Sequence, residues 1–245
     1  MSKVISVMSN KGGSSKTTLV LNIAGYLSKE GKVCVVDLDS QMNTTIVLGG
    51  NTRKNIEDFL LRGNDLSEVK SESNFEGIYK VEGSEGINRY LSESNLNVLS
   101  ELIEGLKKEY DFVIIDTAPS LDEKIKRVML LSDLVIVPVL LDLFSVRGLQ
   151  AIIKEYEPIK TLSSKMLVVP VQVIHNSKLH REVYKQLEEY VKRGKEWLNL
   201  SKWKISYSVE VSNSLARNEI LTLGSRSKVG RQLNKLGKEV LSYVR

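Results

Sequence analysis

"SNKGGSSKTTLVLNIA", residues 9–24, lies between an apolar segment and a run of helical periodicity, and its reading decides the fold. Before it, KVISVM at residues 3–8 has the continuous apolar character of a strand buried on both faces. After it, Leu19, Ile23 and Leu27 recur at helical spacing until Gly31 ends the helix. A second apolar strand, VCVVDLD, follows at residues 33–39. The unit is therefore strand, loop, helix, strand, with a right-handed crossover expected. A glycine-containing turn that feeds backbone N–H groups into a helix start is built to bind an anion. The general phosphate-loop pattern is G-x-x-x-x-G-K-[ST], in which backbone N–H groups wrap phosphates, lysine neutralises them and the hydroxyl holds Mg2+. Here Asn10 stands at the first glycine position and Ser15 at the last, while Lys16 and Thr17 are in place and Gly12 and Gly13 lie inside the loop.

The remaining chain alternates apolar strands with amphipathic helices. Strands are expected at GIYKV (77–81), YDFVIIDTAPS (110–120), DLVIVPVLL (133–141), KMLVVPVQVI (165–174) and WKISYSV (203–209). Helices are expected near residues 55–61 and over about 95–109, 121–131, 145–160, 178–195 and 226–244. The stretch from 49 to 94 is polar and gives the weakest signal. With no internal repeat or linker, the pattern predicts a single α/β domain over residues 1–245, a doubly wound, mostly parallel sheet flanked by helices. Its site belongs at the carboxyl ends of the strands.

Composition bounds the alternatives. The longest apolar run, LVIVPVLL at 134–141, is far below the roughly 18–20 residues that cross a bilayer, and no signal-peptide pattern opens the chain. The expectation is a cytoplasmic protein. The single cysteine, Cys34, lies in an apolar strand and reads as core, and His175 and His180, five apart, do not share the four-residue metal spacing of a helix. Of the net charge of +5, residues 202–245 carry nine Lys and Arg against three Glu, a local +6, so the rest is close to neutral. A basic terminal segment on a balanced body fits a polyanionic partner or a solvated surface.

Because Lys11 directly follows the first loop position, the segment reads K-G-G-x-x-K-T-T, and here the sequence resembles the deviant Walker A ATPases, the family of ParA, Soj and MinD, whose motif is K-G-G-x-G-K-[ST]. VVDLDSQMNTT resembles the family's second motif, D-x-D-P-Q-G-N, through Asp37, Asp39, Gln41 and Asn43, with Ser40 for proline and Met42 for glycine. The segment from Tyr110 onward follows its Walker B strand, which Asp116 closes. The resemblance covers residues 1–50 and 95–160.

Read chemically, Gly12, Gly13, Ser14, Ser15, Lys16, Thr17 and Thr18 cradle the phosphates of ATP, Lys16 contacting the β- and γ-phosphates. Thr17, Asp39 and Asp116 are the candidates around Mg2+. The resemblance implies that Asp39 positions the attacking water, that Lys11 reaches the partner's phosphates across a nucleotide-sandwiched homodimer, and that Asn176, in HNSK, contacts adenine. Ser15 adds a Cβ where glycine lets the backbone approach phosphate; its hydroxyl can donate to a phosphate oxygen, so altered affinity is expected, not a dead site.

Within the family the fork is DNA or membrane. The apolar positions Val229, Leu233, Leu236, Val240 and Val244 of the terminal helix fall within about 80° of arc, which suits docking on the protein's own core. Lys228, Arg231, Lys235 and Lys238 occupy an opposite arc, a basic stripe that is either a solvated face or a track for non-specific double-stranded DNA. Arg147, Arg217 and Arg226 are further candidates. No amphipathic membrane-targeting extension and no preceding helix-turn-helix is read. The resemblance thus implies a small partition ATPase on the nucleoid, with a centromere-binding ParB-type partner. The alternatives are a MinD-like positioning ATPase, a metabolic relative, or a non-hydrolysing scaffold; iron–sulfur relatives bridge cysteines that are absent.

Overall fold

A computed structural model describes residues 1–50, 54–63, 65–87 and 96–245. Among the described residues the strands are β1 Lys3–Val7, β2 Val33–Leu38, β3 Lys70–Glu72, β4 Ile78–Val81, β5 Phe112–Thr117, β6 Leu134–Leu140, β7 Lys165–Val171 and β8 Leu198–Leu200. They form one sheet in the order β3-β4-β2-β5-β1-β6-β7-β8, parallel throughout except for β3 on β4. The Val- and Ile-rich runs of β1, β2, β5, β6 and β7 are buried because helices cover both faces. Residues 3.4 Å apart along a strand point to opposite faces, roughly, so each strand feeds two cores.

On one face, Ile5, Val35, Ile114 and Ile136 pack under the helix Lys16–Leu27 and the terminal helix Lys228–Val244. On the other, Val4, Val36, Ile115 and Val137 pack under the helices Leu96–Leu106, Glu123–Leu131, Leu143–Tyr156 and Lys178–Lys192. The Lys16–Leu27 helix is buried almost all round, between sheet and terminal helix. Two glycines let these layers close: a Cβ on Gly25 would stand 2.5 Å from Ile220 Cγ2, and one on Gly237 would stand 2.4 Å from Tyr26 Cγ. The five apolar positions expected to face the core from the terminal helix are all buried.

One expected strand is displaced. WKISYSV forms no regular strand; β8 lies earlier, at Leu198–Leu200, and only an isolated bridge joins Ser206 to Val173. The reason is where the backbone donors go. Ile205 and Tyr207 N–H still donate to Pro170 O at 2.9 Å and Val173 O at 3.1 Å along β7 and its continuation, but Lys202 N–H donates to Glu239 Oε1, Trp203 N–H to Ser201 Oγ and Ser206 N–H to Gln232 Oε1, each at 3.0 Å, so side chains take the other donors and no further regular ladder forms. The polar trio of β3 and the short helices Asn43–Val47, Leu66–Val69, Val209–Ala216 and Leu221–Gly224 carry too little periodicity to be read in advance. Residue 95, where one expected helix opens, lies outside the described residues; that helix ends at Leu106.

Leu236 is fully buried where the terminal helix meets the sheet-covering layer, whereas Lys238 is exposed. Leu236→Ala is expected to lower the unfolding free energy by about 2–5 kcal/mol and Lys238→Ala by less than about 0.5 kcal/mol, measured by urea denaturation.

Candidate nucleotide site

The loop leaves β1 at the carboxyl edge and enters the Lys16–Leu27 helix through Ser15, which has φ 66° and ψ 24°. Gly13 is also left-handed, with φ 69°. A side-chain-bearing residue in that region costs about 1–2 kcal/mol, so the chain retains a glycine conformation without glycine. The second departure repeats it: Met42, at the second motif's glycine position, has φ 53°. The compensation at Ser15 comes from Gln172, just past β7, whose Nε2 donates to Gly13 O at 2.8 Å and to Ser15 Oγ at 3.1 Å. The loop at the end of β1 is thereby tied to the end of β7, two strands away in the sheet. Open space surrounds the Cβ positions of Gly12 and Gly13, and Ser14 Oγ is buried without a hydrogen-bond partner among the described residues.

β2 and β5 are in register so that Asp37 lies beside Asp116. Both are almost fully buried, and both carboxyls are pushed up, first by loss of hydration. Their oxygens are used differently. Asp37 Oδ2 accepts from the Thr45 N–H and hydroxyl, each at 2.8 Å, and Oδ1 accepts from the Asp39 N–H at 3.1 Å. Asp37 thus anchors the following turn and the helix Asn43–Val47. Asp116 Oδ2 accepts from Thr17 Oγ1 at 2.9 Å and Thr44 Oγ1 at 2.6 Å, while Oδ1 is buried without a partner among the described residues. A hydroxyl and a carboxylate oxygen side by side are hard oxygen donors of the kind Mg2+ takes, and the unpartnered oxygen fits such an ion. Lys16 is 7% exposed; burial lowers its affinity for the proton while the charges of Asp116 and Asp39 oppose that shift. Asp39 is buried with Oδ1 accepting from Gln41 N–H at 3.0 Å.

Lys11 stands apart from this cluster. Its ammonium pairs with Asp142 Oδ2 at 3.0 Å and lies 3.4 Å from Ser145 Oγ, at the start of the helix Leu143–Tyr156, and its side chain is 43% exposed. Ser15, Thr18 and Gln172 line a small cleft with Ser206 and Tyr207, and these last two also line a separate cavity of about 470 Å³. Asn176 is on its wall, with His175, whose Nε2 lies 2.8 Å from Ser206 Oγ. Lys228, expected on the basic stripe, also lines this cavity.

The other basic candidates do not form one patch. Arg231, Lys235 and Lys238 are exposed along the terminal helix, with Arg226 and Arg217 exposed before it. Arg147 is exposed on the helix Leu143–Tyr156, across the sheet from them. Lys235 Nζ sits 4.3 Å above the Trp203 ring and Lys204 Nζ 3.2 Å above Tyr184, so aromatic rings hold part of this surface. Sequence reading missed Thr44, Thr45, Asp142 and Gln172. The threonines were adjacent to a recognised motif and Asp142 lay within the stretch that resembles the family without being singled out; Gln172 follows a strand with no motif around it.

A central β1, a phosphate loop at its carboxyl end and a buried acid closing β5 define a P-loop nucleotide-binding protein of the deviant Walker A type. Residues 2–169 match the AAA domain family model, and a ParA family protein of Mycoplasma genitalium is 30% identical over 210 residues, covering 74% of this chain and 75% of that one. The chain belongs to the ParA family of P-loop ATPases. Its fold is shared with a plasmid partition protein of Borrelia burgdorferi, at TM-score 0.76 and 22% identity over 98% of both chains. It is shared too with the septum site-determining protein MinD of Pyrococcus horikoshii in complex with Mg-ADP, at TM-score 0.77 and 21% identity over 98% of this chain and 96% of that one.

Ser15→Gly is expected to change the unfolding free energy by less than about 1 kcal/mol: relief of left-handed strain is offset by the lost Gln172 bond and a freer unfolded chain. Ser15→Val, β-branched at a left-handed position, is expected to cost more than about 2 kcal/mol in the same urea titration.

Proposed function

We propose that this protein is a DNA-partition ATPase in which ATP and Mg2+ drive formation of a sandwich homodimer, the dimer binds double-stranded DNA without sequence preference, and a ParB-type partner stimulates hydrolysis that releases it. The observation that carries the reading is the placement of Lys11. A second lysine of the loop that engaged its own nucleotide would turn inward beside Lys16; this one is held outside, half-exposed, by Asp142. A cation displayed there is available to the phosphates of an opposing copy, in the manner of a finger supplied in trans.

Within one protomer Lys16 neutralises the β- and γ-phosphates, and Thr17 with Asp116 holds the metal. Bound Mg2+ supplies charge neutralisation to the phosphates. Asp39 orients water at the γ-phosphate, and the cavity around Asn176 and His175 receives the base. The apolar side of the terminal helix is buried in the protein's own core, which supports the DNA reading over a membrane one. Its exposed Arg231, Lys235 and Lys238, with Arg226 and Arg217, are the phosphate-tracking surface; Arg147 would belong to a separate contact. That the Borrelia relative is a plasmid partition protein agrees with this reading.

Binding to random-sequence duplex, followed together with dimer formation, tests it. ATP-selective dimers are expected to bind DNA, with affinity falling by roughly 10³ or more between 50 and 200 mM salt if some six phosphates are engaged. Lys16→Ala is expected to abolish binding of a non-hydrolysable ATP analogue. Lys11→Ala is expected to bind the analogue yet remain monomeric; dimers formed as in the unaltered protein would overturn the trans-lysine assignment.

A further inference from the structure

Asp116 is held by a hydroxyl that no motif accounts for. Past β2 the chain turns at Met42, whose N–H donates to Asp39 O at 2.9 Å, and the helix Asn43–Val47 starts there, so Thr44 and Thr45 sit side by side in its first turn. β2 and β5 run in register, and the two threonines divide between the two acids near the ends of these strands. Thr45 bonds to Asp37, whereas Thr44, 1% exposed, donates from Oγ1 to Asp116 Oδ2 at 2.6 Å. The acids are served unequally. On Asp37 both oxygens accept, Oδ2 from Thr45 and Oδ1 from the Asp39 N–H. On Asp116 the Thr17 and Thr44 hydroxyls both load Oδ2, and Oδ1 is buried with no partner among the described residues.

Satisfying a buried carboxylate does not explain that pattern. A carboxylate has about four acceptor positions over its two oxygens, and burial penalises whichever oxygen is left bare, so a donor present only to offset burial gains more at Oδ1. Two hydroxyls on Oδ2, brought by the helices Lys16–Leu27 and Asn43–Val47, instead fix how the carboxylate is turned. Thr17 is assigned to the metal itself, which leaves Thr44 as the donor on Asp116 that is not a ligand. We infer that Thr44 is a positioning residue for the metal site: its buried hydroxyl locks Asp116 through Oδ2 and reserves Oδ1 for the ion. The inference rests on the reading above in which Thr17 and Asp116 hold Mg2+. Losing a group that orients a metal-binding side chain, without itself touching the ion, typically costs about 10–100-fold in metal affinity.

The test measures the dissociation constant of a non-hydrolysable ATP analogue, in saturating Mg2+ and in EDTA, for the unaltered protein and for Thr44→Val, Thr44→Ser and Thr45→Val. The ratio of the two constants is the gain due to the metal. Thr44→Val keeps the shape and removes the donor. It is expected to lower that gain about tenfold while the constant in EDTA stays within about threefold. Thr44→Ser, which keeps the hydroxyl, is expected to restore most of the gain. Thr45→Val removes the neighbouring hydroxyl from Asp37 and is expected to lower the thermal unfolding midpoint while leaving the gain within about threefold. A Thr44 hydroxyl that is only structural predicts a lower midpoint for Thr44→Val with the gain unchanged, and that result overturns the inference. Equal loss of gain in Thr44→Val and Thr45→Val overturns it too, since general loosening of their helix would then be the cause. If the unaltered protein does not bind the analogue, or gains nothing from Mg2+, the ATPase reading fails and the inference with it; a gain in the unaltered protein that Thr44→Val retains in full removes the inference alone.

Discussion

Two buried carboxylates side by side, Asp37 on β2 and Asp116 on β5, are the constraint around which the functional edge is arranged. Like charges at that spacing in a water-poor environment repel, and each demands donors. The chain meets the demand with threonines: Thr45 on Asp37, and Thr17 with Thr44 on Asp116. Those bonds fasten the start of the Lys16–Leu27 helix and the helix Asn43–Val47 to the two central strands. The other oxygen of Asp116, Oδ1, has no partner among the described residues. One of the carboxylates that hold the edge together, Asp116, is thus also the group to which the proposed function assigns the metal.

The two departures from the family's motifs have one explanation. Ser15 and Met42 both hold left-handed backbone where the motif carries glycine, so the turns keep their shape and only the atoms at Cβ differ. At Ser15 the strain is met by Gln172, itself left-handed with φ 52°, whose amide spans the loop. The serine hydroxyl is therefore engaged with Gln172, and a phosphate that recruited it would have to draw it away. That is the physical basis for an altered affinity.

The segment from Ser201 to Ser208 links the two surfaces that the proposed cycle must couple. Its first residues are fixed to Glu239 of the terminal helix and carry Trp203 beneath Lys235. Its last residues, Ser206, Tyr207 and Ser208, line the cleft that runs from the phosphate loop. Ser206 also bonds Gln232 on the terminal helix, so the cavity beside Asn176 and the basic helix share side chains over a few residues.

The sequence by itself determined the α/β alternation, the loop between β1 and its helix, and the identities of Lys16, Thr17, Asp37, Asp39 and Asp116, because apolar period and motif spacing are local properties of the chain. It also determined which side of the terminal helix is apolar, from a seventeen-residue helix long enough to show its period. Only the tertiary structure decided that β8 precedes WKISYSV, where Gln232 takes the Ser206 N–H and Glu239 that of the adjoining Lys202, each from some thirty residues away. Only it set Lys11 on Asp142 and Gln172 on Ser15, and parted Arg147 from the other basic residues. Each of these joins groups far apart in the chain or sorts them to faces of the sheet, and such pairings follow from strand order and layer packing, which no local pattern encodes.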